Sequence, residues 1–472
     1  LRYWDIGDYL TRDDKLRILD DSLTDESGAA ELGVLGWTEL TPNEHGDWIN
    51  QRSSAFETHL ALHSETEPSI FGLRSNGLQT NRDAWNYNSS HAELVRNQER
   101  AIAHFNEQVK RVRSASPAPS TDAAVAQLVD LDPTKFKWID RDFARARKGR
   151  YFAPEDVDVR VATYRPFHRR FANASNSLNK RVSELPRAYP NADVGNLAVA
   201  VSTVGARADF SVLMTRDLPD VHLWVDDTPC LPRLIYDQGH TDAATTLFDS
   251  GPPDGAGTRH NITDHALAAF RSIDPAIEKD DVFFYVYGVL HAPDYRRAFA
   301  ADLKKSLPRI PQVSTATDFW AFATAGRELA TLHTDYESIE LWQGLTRVHA
   351  SGFRDDHPDA YRVLKMKHPK ITEPATGQKV EDRTRIVYND WITICDIPER
   401  AYDYELGSRS AIGWVMDAWR VRTDKASGIV NDPNDWAIEH DDPTYILDLV
   451  GRVVSVSMRT LEIVDALPPL EL

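Results

Sequence analysis

Apolar positions recur at helical or strand spacing along most of the chain, and so both kinds of element are predicted. One clear helical stretch follows Ser90, where Leu94, Ile102 and Phe105 share a face. Further helical spacing occurs at 12–21, 261–270, 279–290, 293–307, 318–333, 410–421 and 443–467. The pattern predicts many helices that each bury one face.

Short apolar runs separated by Pro and Gly predict strands in the middle of the chain. The predicted strands are 70–73, 157–161, 197–204, 210–214 and 221–225. Residues 385–395 alternate about Asn389 and Asp390, which is typical of a hairpin. Helices and strands are mixed without an internal repeat, and we expect a mixed α+β fold of the α/β class.

Turn-forming stretches and changes of pattern divide the chain into four predicted parts. These are a tail of a preceding domain (1–66), a first lobe of strands and helices (67–260), a helical spacer (261–345) and a C-terminal α/β lobe (346–472). The chain opens on Leu1, without an initiator Met, in sequence typical of the middle of a domain. We therefore expect a piece of a longer polypeptide.

Size and composition exclude several classes of protein. A chain of 472 residues with 42% hydrophobic content can bury a large core. Two cysteines, Cys230 and Cys395, cannot form a disulfide framework and favour a reducing cytoplasm. No apolar run reaches the roughly 20 residues of a membrane span, so no membrane partner is expected.

Positive charge is concentrated between Lys135 and Arg181. That stretch holds thirteen Lys or Arg against five Asp or Glu, whereas the whole chain carries a formal charge of −18. Tyr164, Phe167 and other aromatic residues are interleaved with the cations, an arrangement that suits a nucleic-acid backbone and its base edges. The alternative is a surface whose arginines pair with the many carboxylates elsewhere. Both interpretations stay open at this point.

Signatures of catalysis and of metal binding are missing. There is no GxxxxGK[ST] or GxGxxG phosphate loop, no GxSxG elbow and no cysteine–histidine spacing for zinc. We therefore expect no catalytic residue, no metal site and no cofactor in this chain itself.

Several strings occur in a fixed order and are more specific together than singly. They are Asp5-Ile-Gly-Asp-Tyr9, Asn43-Glu-His-Gly-Asp-Trp-Ile-Asn-Gln-Arg52, Thr80-Asn-Arg-Asp-Ala-Trp85, Tyr164-Arg-Pro-Phe167, Asp209-Phe-Ser-Val-Leu-Met214, Asn261-Ile-Thr-Asp264, Phe284-Tyr-Val-Tyr-Gly288, Ala300-Ala-Asp-Leu-Lys-Lys305 and Ser427-Gly-Ile-Val-Asn-Asp-Pro-Asn-Asp-Trp436. The series resembles the C-terminal half of type ISP restriction–modification enzymes, which are single polypeptides that translocate along DNA.

The resemblance implies a division of labour within a longer polypeptide. Members join a nuclease, a helicase-like ATPase, an adenine methyltransferase and a target-recognition domain. This chain resembles the end of the methyltransferase followed by a multi-lobed recognition domain, and it lacks the NPPY, S-adenosylmethionine-loop, Walker and nuclease motifs. The parent is expected to use S-adenosylmethionine, ATP and Mg, and the chain is expected to bind double-stranded DNA.

The resemblance also implies roles for particular side chains. Expected phosphate contacts are Arg160, Arg169, Arg170, Lys180 and Arg181. Expected base-edge contacts are Asn81, Arg82, Arg165 and Asn179. His168, Arg409 and Lys425 complete the expected DNA-binding set, the last two on a second surface near the C-terminus.

Two other functions fit the composition. The acidic, Trp-rich chain would suit a carbohydrate-acting hydrolase with two convergent carboxylates in a deep pocket. A structural interaction module would instead present an apolar patch.

Overall fold

The computed structural model describes residues 2–7, 10–23, 38–49, 51–236, 257–373 and 377–472. The fold is mixed α/β, as the sequence predicts. The helices of the described residues are Arg12–Leu23, Ser54–Glu57, Asp83–Asn86, His91–Ser114, Asp122–Leu128, Asp140–Arg147, Leu185–Ala188, Asp264–Arg271, Lys279–Val289, Pro293–Ala298, Ala300–Leu303, Ala316–Thr334, Ala411–Ala418, Asn434–Glu439 and Tyr445–Asp465. No helix in these ranges combines the length and apolar character needed to cross a bilayer.

Two four-stranded sheets lie between Ser75 and Pro232. The first has the order Leu218–Pro219, Val159–Arg165, His168–Asn173, Tyr87–Asn88, with one parallel pair at its Leu218 edge. The second has the order Ser75–Asn76, Pro229–Pro232, Ala198–Val201, Val212–Thr215 and is antiparallel throughout.

Smaller sheets complete the strand content. One has three strands, in the order Thr346–His349, Ile392–Cys395, Ile386–Val387. Six antiparallel pairs are Arg2–Tyr3 with Thr38–Glu39, Leu60–Ala61 with Arg309–Ile310, Leu234–Tyr236 with Thr258–His260, Lys370–Thr372 with Lys379–Glu381, Glu405–Leu406 with Arg409–Ser410, and Arg422–Thr423 with Val430–Asn431. The predicted hairpin at 385–395 is confirmed.

Two helices pack unusually closely in the helical part of the chain. Lys279–Val289 lies against Ala316–Thr334, and Gly288 and Gly326 meet at the contact. A Cβ at Gly326 would overlap the carbonyl oxygen of Phe284. The two backbones can approach this far only because both positions lack a side chain.

The segments predicted as the first and the C-terminal lobe share a hydrophobic core. Phe167 and Leu213 from the first lobe lie in one cluster with Trp419 and Val453 from the C-terminal lobe. The indole Nε1 of Trp419 donates to the carbonyl oxygen of Phe167 at 3.1 Å. Residues near the C-terminus therefore pack against the two four-stranded sheets and stabilise them.

Three predicted elements differ from the structure. The strand expected at 70–73 is reduced to an isolated antiparallel bridge between Phe71 and Ile262. Residues 221–225 form a turn followed by a bend, because Val221, Leu223 and Trp224 are buried by neighbouring segments rather than by pairing in a sheet. The helix expected at 293–307 is interrupted at Phe299, whose φ of −110° ends one short helix and begins another.

Candidate functional site

The basic run, Arg160 to Arg170 within the positively charged stretch, lies on two strands of the first sheet. Arg165 pairs with the buried carboxylate of Asp220 at 2.8 Å. Arg169 pairs with Asp217 at 2.7 Å and also with Glu337. These carboxylates come from distant segments that close over the strands, so the arginines that were expected on an open face are neutralised by the protein itself.

Two neighbouring residues of the run are fully enclosed. His168 is buried against Trp419, with ring centroids 4.7 Å apart, and burial holds the pKa of His168 well below its usual value. Arg170 stacks over Tyr164 at 4.3 Å, and burial lowers the pKa of Arg170 to about 10. In this conformation neither side chain can reach a phosphate.

Arg82 and Asn179 are also interior residues that hold loops in place. Arg82 is 1% exposed, pairs with buried Asp142 and stacks over Phe136 at 4.7 Å. The amide nitrogen of Asn179 donates to the carbonyl oxygens of Asn173 and Ser175 at 2.8 Å each. The geometry assigns both to positioning rather than to direct base contact.

The remaining predicted residues lie nearer the surface. Arg160 is partly buried and pairs with Asp158 at 2.6 Å, and Lys180 pairs with Asp140 at 2.7 Å. The exposed side chains are Asn81, Arg181, Arg409 and Lys425.

Four loops converge on a cleft of about 700 Å³, here called the four-loop cleft. Its lining residues fall within 79–85, 133–140, 221–222 and 424–427. The first and last of these loops are more than 300 positions apart in the chain. The fold thus builds the cleft from both the first and the C-terminal lobe.

Internal hydrogen bonds fix the loop 79–85. The Thr80 hydroxyl bonds to the Asp83 carboxylate and also accepts from the Arg82 amide nitrogen at 3.0 Å. Tyr164 donates to the other Asp83 oxygen at 3.1 Å. Asn81 has a φ of 55° and is exposed, so the loop presents its side-chain amide on a rigid support.

The loop 424–427 is fixed in a similar way. Ser427 donates to Asp424 through both its amide nitrogen (2.8 Å) and its hydroxyl (2.7 Å). These bonds hold the pKa of Asp424 below its usual value. The Asn431 side chain accepts from the Ser89 amide nitrogen at 2.9 Å, which ties this hairpin to the first lobe.

Two exposed lysines at the cleft form no direct ion pair, although the charge of Lys137 helps to lower the pKa of Asp424. Lys137 lines the cleft, and Lys425 lies between two lining residues; both are exposed. Neither forms an ion pair with any residue in the part of the chain that the structure describes. An exposed amine without a partner can bind an external anion at little cost.

The carboxylates of the cleft are already engaged. Asp83 is held by Thr80 and Tyr164, and Asp140 is held by Lys180. Asp424 is held by Ser427. A hydrolytic pair needs convergent carboxylates that are free to act on a substrate, and this geometry does not favour one.

An arginine cluster lies beside the hairpin that carries Lys425. Arg409, Arg420 and Arg422 surround Asp417 at 2.8, 3.2 and 3.0 Å. Burial opposes ionisation of Asp417, but the three guanidinium groups outweigh it and hold its pKa below the usual value. Three cations around one carboxylate leave a local excess of two positive charges.

Sequence reasoning left several cleft residues out of the predicted set. Lys137, Trp138, His222 and Ser427 all line the cleft. For Ser427 a local signal existed, since Asp424-Lys-Ala-Ser427-Gly is typical of a side-chain-capped turn. No pattern in the local sequence indicates that this turn faces the loop 79–85.

Comparisons with known proteins agree with this architecture. Residues 69–449 match the model of the Type ISP C-terminal specificity domain. No curated protein matches the chain.

Three solved structures are similar over the whole chain. One is a nuclease-deletion mutant of the Type ISP restriction-modification enzyme LlaGI in complex with a DNA substrate mimic (36% identity, TM-score 0.80). Another is the ATP-dependent Type ISP restriction-modification enzyme LlaBIII bound to DNA (31% identity, TM-score 0.79). The third is a DrdV–DNA complex (26% identity, TM-score 0.77).

The match covers 100% of this chain in each case, but only 39%, 28% and 43% of the LlaGI, LlaBIII and DrdV chains. The chain thus spans less than half the length of these proteins. From the family match and the shared fold, we conclude that it belongs to the Type ISP C-terminal specificity domains.

Proposed function

We propose that this chain recognises a specific sequence in double-stranded DNA for a Type ISP restriction–modification enzyme. The observation that carries the proposal is the four-loop cleft, where Lys137 and Lys425 are exposed and form no direct ion pair, beside the hydrogen-bonding side chain of Asn81. Unpaired amines suit phosphates, and side-chain amides suit base edges.

Because several predicted residues are buried or paired with carboxylates, we propose a different set of residues for direct contact with DNA. Direct contacts are assigned to Asn81, Lys137 and Lys425, with Arg181 and Arg409 as further exposed candidates. Interior residues of the predicted set support the loops from below: Arg82, Arg165, His168, Arg169, Arg170 and Asn179. Arg160 and Lys180 can contact a phosphate only by sharing or leaving their carboxylate partners.

The chemistry of the enzyme is assigned to other parts of a longer polypeptide. S-adenosylmethionine, ATP and Mg would be used there, by methyltransferase, helicase and nuclease domains. Holding the duplex in fixed register is what an adenine-methylating partner needs, because the target base must leave the stack. Such an enzyme acts on DNA in the bacterial cytoplasm.

The test is selection of bound duplexes from a random pool. The chain is mixed with random-sequence duplexes at about 0.15 M salt, and bound molecules are amplified through several rounds and sequenced. Enrichment of one short sequence is expected. A pool that binds without enrichment would contradict sequence recognition, and a pool that does not bind would contradict DNA binding altogether.

A further inference from the structure

A second cationic surface lies in the C-terminal part of the chain. It is a cavity of about 580 Å³, here called the basic cavity, and it shares no lining residue with the four-loop cleft. In a chain with a net charge of −18, its lining is locally positive. The lining cations are Lys365, Lys367, Arg383, Arg409 and Arg420, and the lining carboxylates are Glu381, Glu405 and Asp417.

Two lysines of the basic cavity are open to solvent. Lys365 and Lys367 are exposed, whereas Met366 between them is 3% exposed and packs in the core. Neither lysine forms an ion pair with a residue in the ranges that the structure describes. Both amines are therefore available to an external anion.

Arg383 is a weaker candidate for such a contact. It is exposed and lies 5.7 Å from the ring centre of Tyr402. Burial raises the pKa of Tyr402, with Asp382 and Glu381 contributing and Arg383 opposing. These two carboxylates lie close enough to offset part of the charge of Arg383.

The basic cavity adjoins the hairpin that enters the four-loop cleft. This hairpin pairs Arg422–Thr423 with Val430–Asn431, and its loop 424–427 lines the cleft. At its base, Arg422 pairs at 3.0 Å with Asp417, which lines the basic cavity. One element thus connects the two sites.

The segment that carries the two lysines is fixed to the same hairpin. The amide nitrogen of Val421 donates to the carbonyl oxygen of Leu364 at 3.2 Å, directly before Lys365. Arg362 pairs with Asp432 beyond the other strand of the hairpin. Lys365 therefore lies beside the base of the hairpin, and Lys425 lies in its loop.

This placement lets one duplex reach both sites. Lys425 follows Val421 by four positions, so the chain between them spans at most about 14 Å. Duplex DNA carries one phosphate for about every 1.7 Å of its axis. The cations follow the hairpin from its loop to its base instead of converging on one point, an arrangement that suits an extended polyanion better than a small one.

We propose that the basic cavity binds backbone phosphates of the duplex that flanks the sequence held in the four-loop cleft. Lys365 and Lys367 make the contacts, and the arginine cluster around Asp417 keeps the path between the two sites positive. The inference rests on the proposed function, because it takes the cleft to hold the duplex. Phosphate contacts carry no base information, so these lysines add affinity without sequence preference.

Anisotropy titrations of two duplexes of about 30 base pairs test this, one with the selected sequence and one with a mutated site. Lys365→Ala/Lys367→Ala should weaken binding to both by about fivefold or more and flatten the salt slope by about two units. The ratio of the two affinities should not change. The matched control, Arg100→Ala/Lys110→Ala, removes two exposed cations that line neither site and should stay within about twofold of wild type. Circular dichroism checks that each variant is folded.

Methylphosphonate substitutions locate the contact on the DNA. Each replaces one charged phosphate outside the selected sequence by an uncharged group. Substitution at the contacted phosphates should weaken binding of the wild type and have no effect on Lys365→Ala/Lys367→Ala, which has already lost those contacts.

Three results would overturn the inference. They are wild-type affinity and slope in Lys365→Ala/Lys367→Ala, a changed affinity ratio in that variant, and methylphosphonates that weaken both proteins equally at every position. A wild-type chain whose two affinities are equal would instead contradict the proposed sequence recognition.

Discussion

Arg82 shows how a cation in the loop proposed to face DNA can stabilise the fold instead of contacting the DNA. It is buried with Asp142 beneath the loop 79–85, and stacks over Phe136. Removing one member of a buried ion pair leaves the other charge uncompensated. The loop conformation therefore depends on a residue that a base would never touch.

We expect Arg82→Met to lower the free energy of unfolding by roughly 3–5 kcal/mol, because Asp142 would stay buried without its partner. Urea unfolding followed by circular dichroism measures this. The control is Arg181→Met, an exposed position whose change should stay within about 0.5 kcal/mol. A loss below about 1 kcal/mol for Arg82→Met would mean that the pair does not stabilise the fold.

Asn81 is the residue that we expect to read a base. Asn81→Gly removes the amide, while glycine tolerates the φ of 55° without strain. The preference for the selected sequence over a mutated site should fall by about tenfold to a hundredfold, matching 1–3 kcal/mol for one bidentate contact. Gln343→Ala, an exposed amide outside the cleft, should leave the ratio unchanged.

Asp220 gives the pH dependence of stability a definite sign. Burial raises its pKa from 3.8 to about 6, although Arg165 opposes the shift. Between these values the folded chain holds a proton that the unfolded chain has lost. The contribution of Asp220 to stability is therefore full below about pH 4 and falls as the pH rises towards 6.

Asp220→Asn should remove this dependence, since asparagine does not titrate. The free energy of unfolding of the variant, relative to wild type, should rise between pH 4 and pH 6 by an amount on the order of 1–3 kcal/mol. Urea titrations at four pH values in this range measure it. A difference that does not change with pH would contradict the raised pKa.

At the scale of elements, the contact between Lys279–Val289 and Ala316–Thr334 depends on two glycines. Gly326→Ala should lower the free energy of unfolding by roughly 1–3 kcal/mol, because the helices must separate to admit one methyl group. Thermal unfolding measures the loss. Thr324→Ala, exposed on the same helix, should have little effect, and equal midpoints for both variants would contradict the close approach.

Long elements could be predicted from the sequence because each buries an apolar face of regular period. His91–Ser114, Lys279–Val289 and Tyr445–Asp465 begin and end within a few residues of the predicted bounds. The segment 221–225 was expected to be a strand because it is a short apolar run. Tertiary contacts bury those residues without a pairing strand.

The basic run shows why the site was harder to predict. Its arginines had the right chemistry for phosphates, but their partners Asp217, Asp220 and Glu337 lie about 50 to 170 positions away. No local sequence pattern predicts ion pairs between residues so far apart in the chain. Loop residues such as Asn81 could be found because their turn chemistry is local, whereas the convergence of four loops is a property of the fold.

At the scale of the whole molecule, an anionic protein is proposed to bind an anionic polymer. The net charge of −18 repels DNA from most of the surface, so binding must depend on a few uncompensated cations. Lys137, Lys425 and the arginine cluster around Asp417 provide them. Arg160, Arg165 and Arg169 of the first sheet add little to this field, because their carboxylate partners cancel their charge.

The most direct test of this account is the salt dependence of DNA binding. Affinity for a duplex is measured by fluorescence anisotropy between about 50 and 300 mM salt for wild type, Lys137→Ala/Lys425→Ala and Lys110→Ala. Lys110 is an exposed lysine on the helix His91–Ser114 that does not line the cleft.

The double variant should bind all duplexes more weakly, and its slope of log affinity against log salt should flatten by about two units, one per lost phosphate contact. Lys110→Ala should retain the wild-type slope. If the double variant keeps the wild-type slope and affinity, DNA does not bind at the four-loop cleft.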